Sequence, residues 1–127
     1  MKTRMIVALS MLAGATLGAA AIQGLHAQAK PKAYTVIEVE VMDEAALKAH
    51  LPPVEAALAA AGGHYLNTGG GRIISHLGDP PRRVAIIEWN NLDQAKAFYD
   101  SGVWKTFLPD REKVVKTIRR YTVEAVK

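Results

Sequence analysis

The chain has 127 residues, no cysteine, and 16 basic against 12 acidic side chains, a formal net charge of +4. That length allows one domain at most, and the missing cysteine excludes a disulfide framework and thiolate chemistry. No Lys/Arg run exceeds the pairs Arg82-Arg83 and Arg119-Arg120, so a nucleic-acid partner, which needs a basic face interleaved with stacking aromatics, is not expected.

Residues 1–29 read as a secretory leader. Lys2 and Arg4 precede an apolar run from Met5 to Ala21, and Ala27-Gln28-Ala29 supplies an Ala-x-Ala cleavage pattern before Lys30-Pro31. Cleavage after Ala29 would place the mature chain outside the bacterial cytoplasm, periplasmic or secreted. The run is rich in Gly and Ala and falls short of the roughly 20 strongly apolar residues that a span requires, so no stable membrane anchor is expected. A twin-arginine pair is absent, which favours the general secretory route and no cofactor loaded before export. Without the leader, 14 basic and 12 acidic side chains remain, so the mature charge is about +2.

Residues 30–33 form a linker, and residues 34–127 form the domain. Tyr34–Val41 alternates, with Thr35, Ile37, Val39 and Val41 on one face and Tyr34, Val36, Glu38 and Glu40 on the other, which predicts a strand. Asp43 is a suitable N-cap. Leu47, Leu51, Val54, Leu58 and Ala61 make an apolar helical stripe. Pro52-Pro53 is expected to kink or break that helix near Leu51, and Gly62-Gly63 to cap its end. Tyr65–Thr68 and Arg72–Leu77 read as two strand pieces interrupted by Gly69-Gly70-Gly71, with a turn at Gly78-Asp79-Pro80-Pro81. Arg83–Trp89 is apolar on both faces and reads as a covered strand. Asn91 caps a helix with Leu92, Ala95, Phe98 and Tyr99 inward. Gly102 is expected to stop it, Pro109 to start a last helical turn or two through Val115, and Thr117–Val126 to close the sheet.

The order β-α-β-β-α-β, with an extra short helix, is the ferredoxin-like α+β arrangement: an antiparallel four-stranded sheet with helices on one face. Tyr34, Val36 and their neighbours would leave the other face apolar and wet. A mature chain of about 98 residues is also near the size where burial is marginal. Sheet-to-sheet pairing of two copies would answer both, so a homodimer is expected.

Four pieces in order, YTVIEVEVMD, AAAGGHYLNTGG, RRVAIIEWNN and AKAFYDSGVWKTFLPDR, resemble the bacterial domain-of-unknown-function family 1330 of the dimeric α/β-barrel superfamily. The resemblance covers nearly all of residues 34–126. It implies a ferredoxin-like dimer with a pocket between sheet and helices. Relatives in that superfamily include cofactor-free monooxygenases, haem-degrading enzymes and chlorite-dismutase-like proteins, whose activities do not transfer on fold alone. The leader departs from the family, as do His64, where a basic residue is usual, and Trp104, where tyrosine is usual. Arg83 and Arg111 stand where the family usually has arginine.

Several groups carry possible chemistry. Glu38 and Glu88, taken to lie on neighbouring parallel strands, could line one cavity as a base or ligand-orienting pair; the alternative is a salt bridge to Arg83, Arg111 or Arg72, or exposure at a strand end. Arg83 and Arg111 could grip a ligand carboxylate or phosphate, or else stabilise the fold by pairing with Glu88, Asp100 or Asp110. His64 suits proton transfer, but His50, His64 and His76 lack the three or four convergent ligands a metal needs, and they read more simply as surface or strand-edge residues. Gly69-Gly70-Gly71-Arg72 leads into further strand rather than into a helix, against a phosphate loop. Tyr99, Ser101 and Trp104 flank the Asp100-Ser101-Gly102 helix break and could overhang a pocket mouth. These residues support a small-organic-ligand binder using Glu38, Glu88, Arg83, Ser101, Tyr99, Trp104 and Arg111. The other readings are a cofactor-free enzyme with Glu88 or His64 as base and a structural envelope protein. No metal or cofactor is expected.

Overall fold

Alternation sets the first strand. In the computed structural model, which describes residues 30–126, β1 spans Ala33–Val41 and buries Thr35, Ile37 and Val39 on one side. The leader reading falls outside the described residues. Asp43 then caps α1, Glu44–Ala61, its carboxylate accepting from the Ala46 amide at 3.0 Å. Leu47, Val54 and Leu58 are the buried part of the apolar stripe.

Pro52 and Pro53 do not break α1, which is continuous through both. A proline leaves the carbonyl four residues earlier without its donor. Those carbonyls belong to Lys48 and Ala49, both exposed, where water can satisfy them. Gly62 ends the helix with φ of 94°, a left-handed conformation that glycine adopts without steric cost. Gly63 opens β2, Gly63–Tyr65, directly under an indole: a Cβ there would lie 2.8 Å from the Trp89 ring.

The expected strand pieces at 65–68 and 72–77 are corrected. The strand stops at Tyr65, and residues 66–82 hold no further strand. Leu66 still donates to the Ile86 carbonyl at 2.9 Å, and the Thr68 hydroxyl to Val84 at 2.8 Å. Asn67 and Gly70 then take positive φ and the chain turns away. Ile73 and Ile74 are adjacent, so they define no single face, and both are exposed, as is Leu77.

β3 spans Arg83–Trp89 and α2 spans Leu92–Asp100, with Asn91 accepting from the Gln94 amide at 2.9 Å. The next helix is longer than expected. α3 runs Gly102–Val114, starting at Gly102 rather than ending there, and includes Pro109 in its interior. Ser101 separates α2 from α3, and its side chain serves both. It donates to the Phe98 carbonyl at 2.6 Å and accepts from the Trp104 amide at 3.2 Å. β4, Val115–Glu124, follows α3 without a loop.

The sheet order is β2-β3-β1-β4, with every neighbouring pair antiparallel. This is the ferredoxin-like α+β fold. The expectation that β1 and β3 run parallel is corrected: Tyr34 stands opposite Glu88 and Glu38 opposite Val84. The chain reverses from β1 into α1, again into β2 and a third time into β3, which inserts between β1 and β2, so β1 and β3 oppose. A bulge at Glu38/Val39 shifts the β4 register. The core lies between the sheet face carrying Ile37, Val39, Ile87 and Trp89 and the helices' Leu47, Val54, Leu58, Phe98, Trp104 and Val114. A deep polar chain within it is closed: the Trp89 indole donates to Thr35 at 2.8 Å, and Thr35 shares a 2.7 Å hydrogen bond with Thr122. An unsatisfied buried donor there would cost about 1–3 kcal/mol. No helix among the described residues is long and apolar enough to cross a membrane.

Candidate functional site

Strand parity decides which charged residues can meet. Arg83 shares its face with Ala85 and Ile87, opposite Val39, and so points to the helix side. Tyr65 pairs with Ile87 and points the same way. Arg111 comes down from α3, 5% exposed. The three line one cavity of about 130 Å³, with Val39, Leu47, Leu51, Ala85 and Val115 as apolar wall and Glu55, Asn67 and Thr68 at its edge. Arg83 is tethered to Glu44 in the first turn of α1 at 3.3 Å, not to Glu88, Asp100 or Asp110. Gly69 lies beside it; a Cβ there would sit 3.4 Å from the guanidinium.

Behind this cavity lies an aromatic and cationic cluster. Trp104 packs edge-on to Tyr99 at 5.1 Å and tilted against Phe98 at 5.7 Å. The Arg111 guanidinium stands 5.8 Å from the Trp104 ring centre, and that of Arg120 stands 4.7 Å from it. Arg120 also covers Tyr99 at 5.6 Å. Burial pushes the Tyr99 phenol up to about 12, against the opposing pull of Arg120. Burial raises Tyr65 too, opposed by Arg111. Arg120 is lowered by burial and then by the neighbouring charge of Arg111. Both tyrosines are therefore neutral hydrogen-bonding groups at physiological pH.

The other expected site residues lie elsewhere. Glu38 and Glu88 share the sheet face opposite the helices. They stand four strand positions apart, about 13 Å at the usual strand rise, too far for a carboxylate pair to act on one atom. Glu38 is held by Arg119 at 2.5 and 2.8 Å, and Glu88 by Lys32 at 2.7 Å with His64 at 3.7 Å. These are ion pairs, with Arg119 and Lys32 in the place of the expected Arg83, Arg111 or Arg72. The hydrogen bond from Arg119 holds the Glu38 carboxyl below its ordinary value, and that from Lys32 does the same for Glu88. A carboxylate made more acidic is a weaker base. His64 is exposed, and neither it nor Glu88 reaches the Arg83–Arg111 cavity. Ser101 is engaged as a cap, and Trp104 is a core residue.

Sequence reading thus found Arg83 and Arg111 but passed over Tyr65 and Arg120 as site residues. The signal for Tyr65 was its parity with Gly63. That for Arg120 was its alternation with Thr122: Arg120 stands opposite Ile37 as Thr122 stands opposite Thr35. Among the described residues no three His, Asp or Glu side chains converge on a metal position.

A model of the domain of unknown function DUF1330 matches residues 32–126. Solved structures share the fold. One is SnoaB, a cofactor-independent oxygenase from Streptomyces nogalater, at 11% identity and TM-score 0.56, covering 76% of this chain and 95% of that one. Another is the RPA0582 protein of unknown function from Rhodopseudomonas palustris, at 12% identity and TM-score 0.57, covering 84% of this chain and 92% of that one. At such identities the likeness concerns the fold alone. No curated protein matches the chain.

Proposed function

The chain belongs to the DUF1330 family, and from that premise we propose that it binds a small organic acid in the cavity between sheet and helices. One observation carries this reading: Arg83 and Arg111, far apart in sequence, line a single apolar-walled cavity with Tyr65. A concave apolar site with a few convergent polar groups is the usual form of a small-molecule site. The volume, about 130 Å³, is near that of an engineered cavity of about 150 Å³ that takes up benzene. A single ring or short branched chain therefore fits, with its carboxylate toward a guanidinium fork.

The proposal includes a homodimer formed through the open sheet face, in a protein exported by its leader. Tyr121 and Val123 are exposed on that face, and its acids Glu38, Glu40 and Glu88 already face Arg119, Arg82 and Lys32 of the same protomer. The face could thus be covered without burying a lone charge.

The test is a thermal-shift series with aromatic and branched aliphatic monocarboxylates, because a ligand specific for the folded state raises Tm. At least one should raise the Tm of the protein. Arg83→Gln should weaken that ligand about tenfold or more, the size of one charge-assisted hydrogen bond. Arg83 is half-buried and its partner Glu44 is exposed, so the variant keeps its fold. If none of these acids raises Tm, or if Arg83→Gln binds as tightly as the parent, the assignment is wrong.

A further inference from the structure

Arg111 separates two cavities. Its second side faces a larger space of about 440 Å³, between α3 and the start of β4, also lined by Arg120, Lys116, Thr117, Leu108 and Glu112. Three of these residues are cationic and one is acidic. Glu112 is exposed, and neither Arg111 nor Arg120 takes part in a salt bridge among the described residues. The Nε atoms of both arginines are buried and have no hydrogen-bond partner among the described residues.

That arrangement is unfavourable for a resting fold. A guanidinium nitrogen taken out of water requires a paired charge or a hydrogen bond. The indole of Trp104 offers both of them only its π face, which attracts a cation but accepts no conventional N–H hydrogen bond. Two neighbouring arginines also repel, and Arg120 is pushed below the usual arginine range by burial and by Arg111. A dianionic or monoanionic oxygen group placed between the forks would accept from both and neutralise them, as arginine pairs do for carboxylate and phosphate.

We infer that Arg111 and Arg120, assisted by Lys116 and Thr117, form a second site, distinct from the Arg83 cavity, for the oxyanion of a small molecule or a free inorganic anion. The shared chemistry is a carboxylate or a phosphate held by two guanidinium forks against the Trp104 edge of the core. This inference does not depend on the ligand proposed for the first cavity.

The protein is titrated separately with inorganic phosphate and with acetate, at ionic strength held constant with chloride, and followed by the Nε–Hε signals of its arginines in ¹⁵N NMR. The Arg111 and Arg120 signals should shift and saturate with one of the two anions, and the anion that saturates first identifies the class. Arg120→Met should weaken that binding about tenfold or more, as loss of one charged hydrogen-bonding partner demands, while Arg83→Gln leaves it unchanged. Unmoved Nε–Hε signals in the parent protein would overturn the inference without recourse to any variant. So would shifts that track ionic strength alone, or binding removed by Arg83→Gln and kept by Arg120→Met; the last result would instead place the anion in the first cavity.

Discussion

His50 shows how one side chain can set a pH response that its sequence context hides. Read with His64 and His76 as a surface or strand-edge residue, it is half-buried on α1, its ring edge-on to Phe107 at 6.1 Å and its Nε2 buried without a hydrogen-bond partner among the described residues. Burial pushes its pKa below the ordinary 6.5; Arg111 pushes the same way, and Asp110 opposes. The unfolded chain therefore binds the proton more readily than the native one between pH 6.5 and the lower native value. Stability is fully present above 6.5 and is lost as pH falls through the native value. Glu38 and Glu88, both held below their ordinary 4.5, lose their contribution only in a lower window, so the two effects separate. Urea denaturation at about pH 7.5 and about pH 5.5, a window in which histidine titrates, should show a falling midpoint that His50→Leu flattens. An equal slope in the variant would assign the effect to another group. Nothing in the sequence marks His50 in this way, because the ring it meets lies on another helix.

Elements were legible where a local rule held, and misread where one residue type serves two purposes. The alternation of β1, the caps Asp43 and Asn91 and the left-handed Gly62 all act within a few residues, and sequence supplies those directly. Glycine as punctuation is ambiguous: it marks a helix end or the first turn of the next helix, and at Gly102 it is the second. The real break is Ser101, whose hydroxyl closes α2 and opens α3. Two substitutions separate these readings by sign. Ser101→Ala should lower the unfolding free energy by about 1 kcal/mol, the usual value of an N-cap. Gly102→Ala should not lower it and could add up to about 1 kcal/mol, since an added methyl meets nothing within 4 Å and alanine is the better helix former. Denaturation curves for the two variants check both; a destabilised Gly102→Ala would restore glycine as the stop. Pro109 was misread for a related reason. The carbonyl it leaves without a donor, that of Lys105, is on an exposed residue, so the helix continues where an interior proline would have ended it.

At the scale of the whole molecule, parity carried the fold and also divided the candidate site. Placing Glu38 and Glu88 on one face and Arg83 on the other needed only the period of two. What could not be read was which distant residues would join them: Arg119 reaches Glu38 only through the β1–β4 register, and Arg111 shares a cavity with Arg83 only because α3 begins after Ser101 and runs on to β4. The same division bears on assembly. With the ligand cavity on the helix side, the opposite face is left to a different task, and its composition suits burial. Val36 lies opposite Tyr121, Tyr34 opposite Val123, and the charges between them are paired within the protomer. Covering such a face gains apolar burial at about 25 cal/mol per Å² without stranding a carboxylate. Tyr121 tests the proposed dimer cleanly because it is 51% exposed in the protomer. Tyr121→Glu therefore costs the isolated fold little, yet puts an unneutralised charge at the centre of a paired-sheet interface. Sedimentation equilibrium at micromolar concentration should find the parent protein dimeric and Tyr121→Glu monomeric, with the same far-ultraviolet circular dichroism. A monomeric parent, or a variant that remains dimeric, would remove the sheet face as the interface and leave its apolar residues to be explained by some other covering.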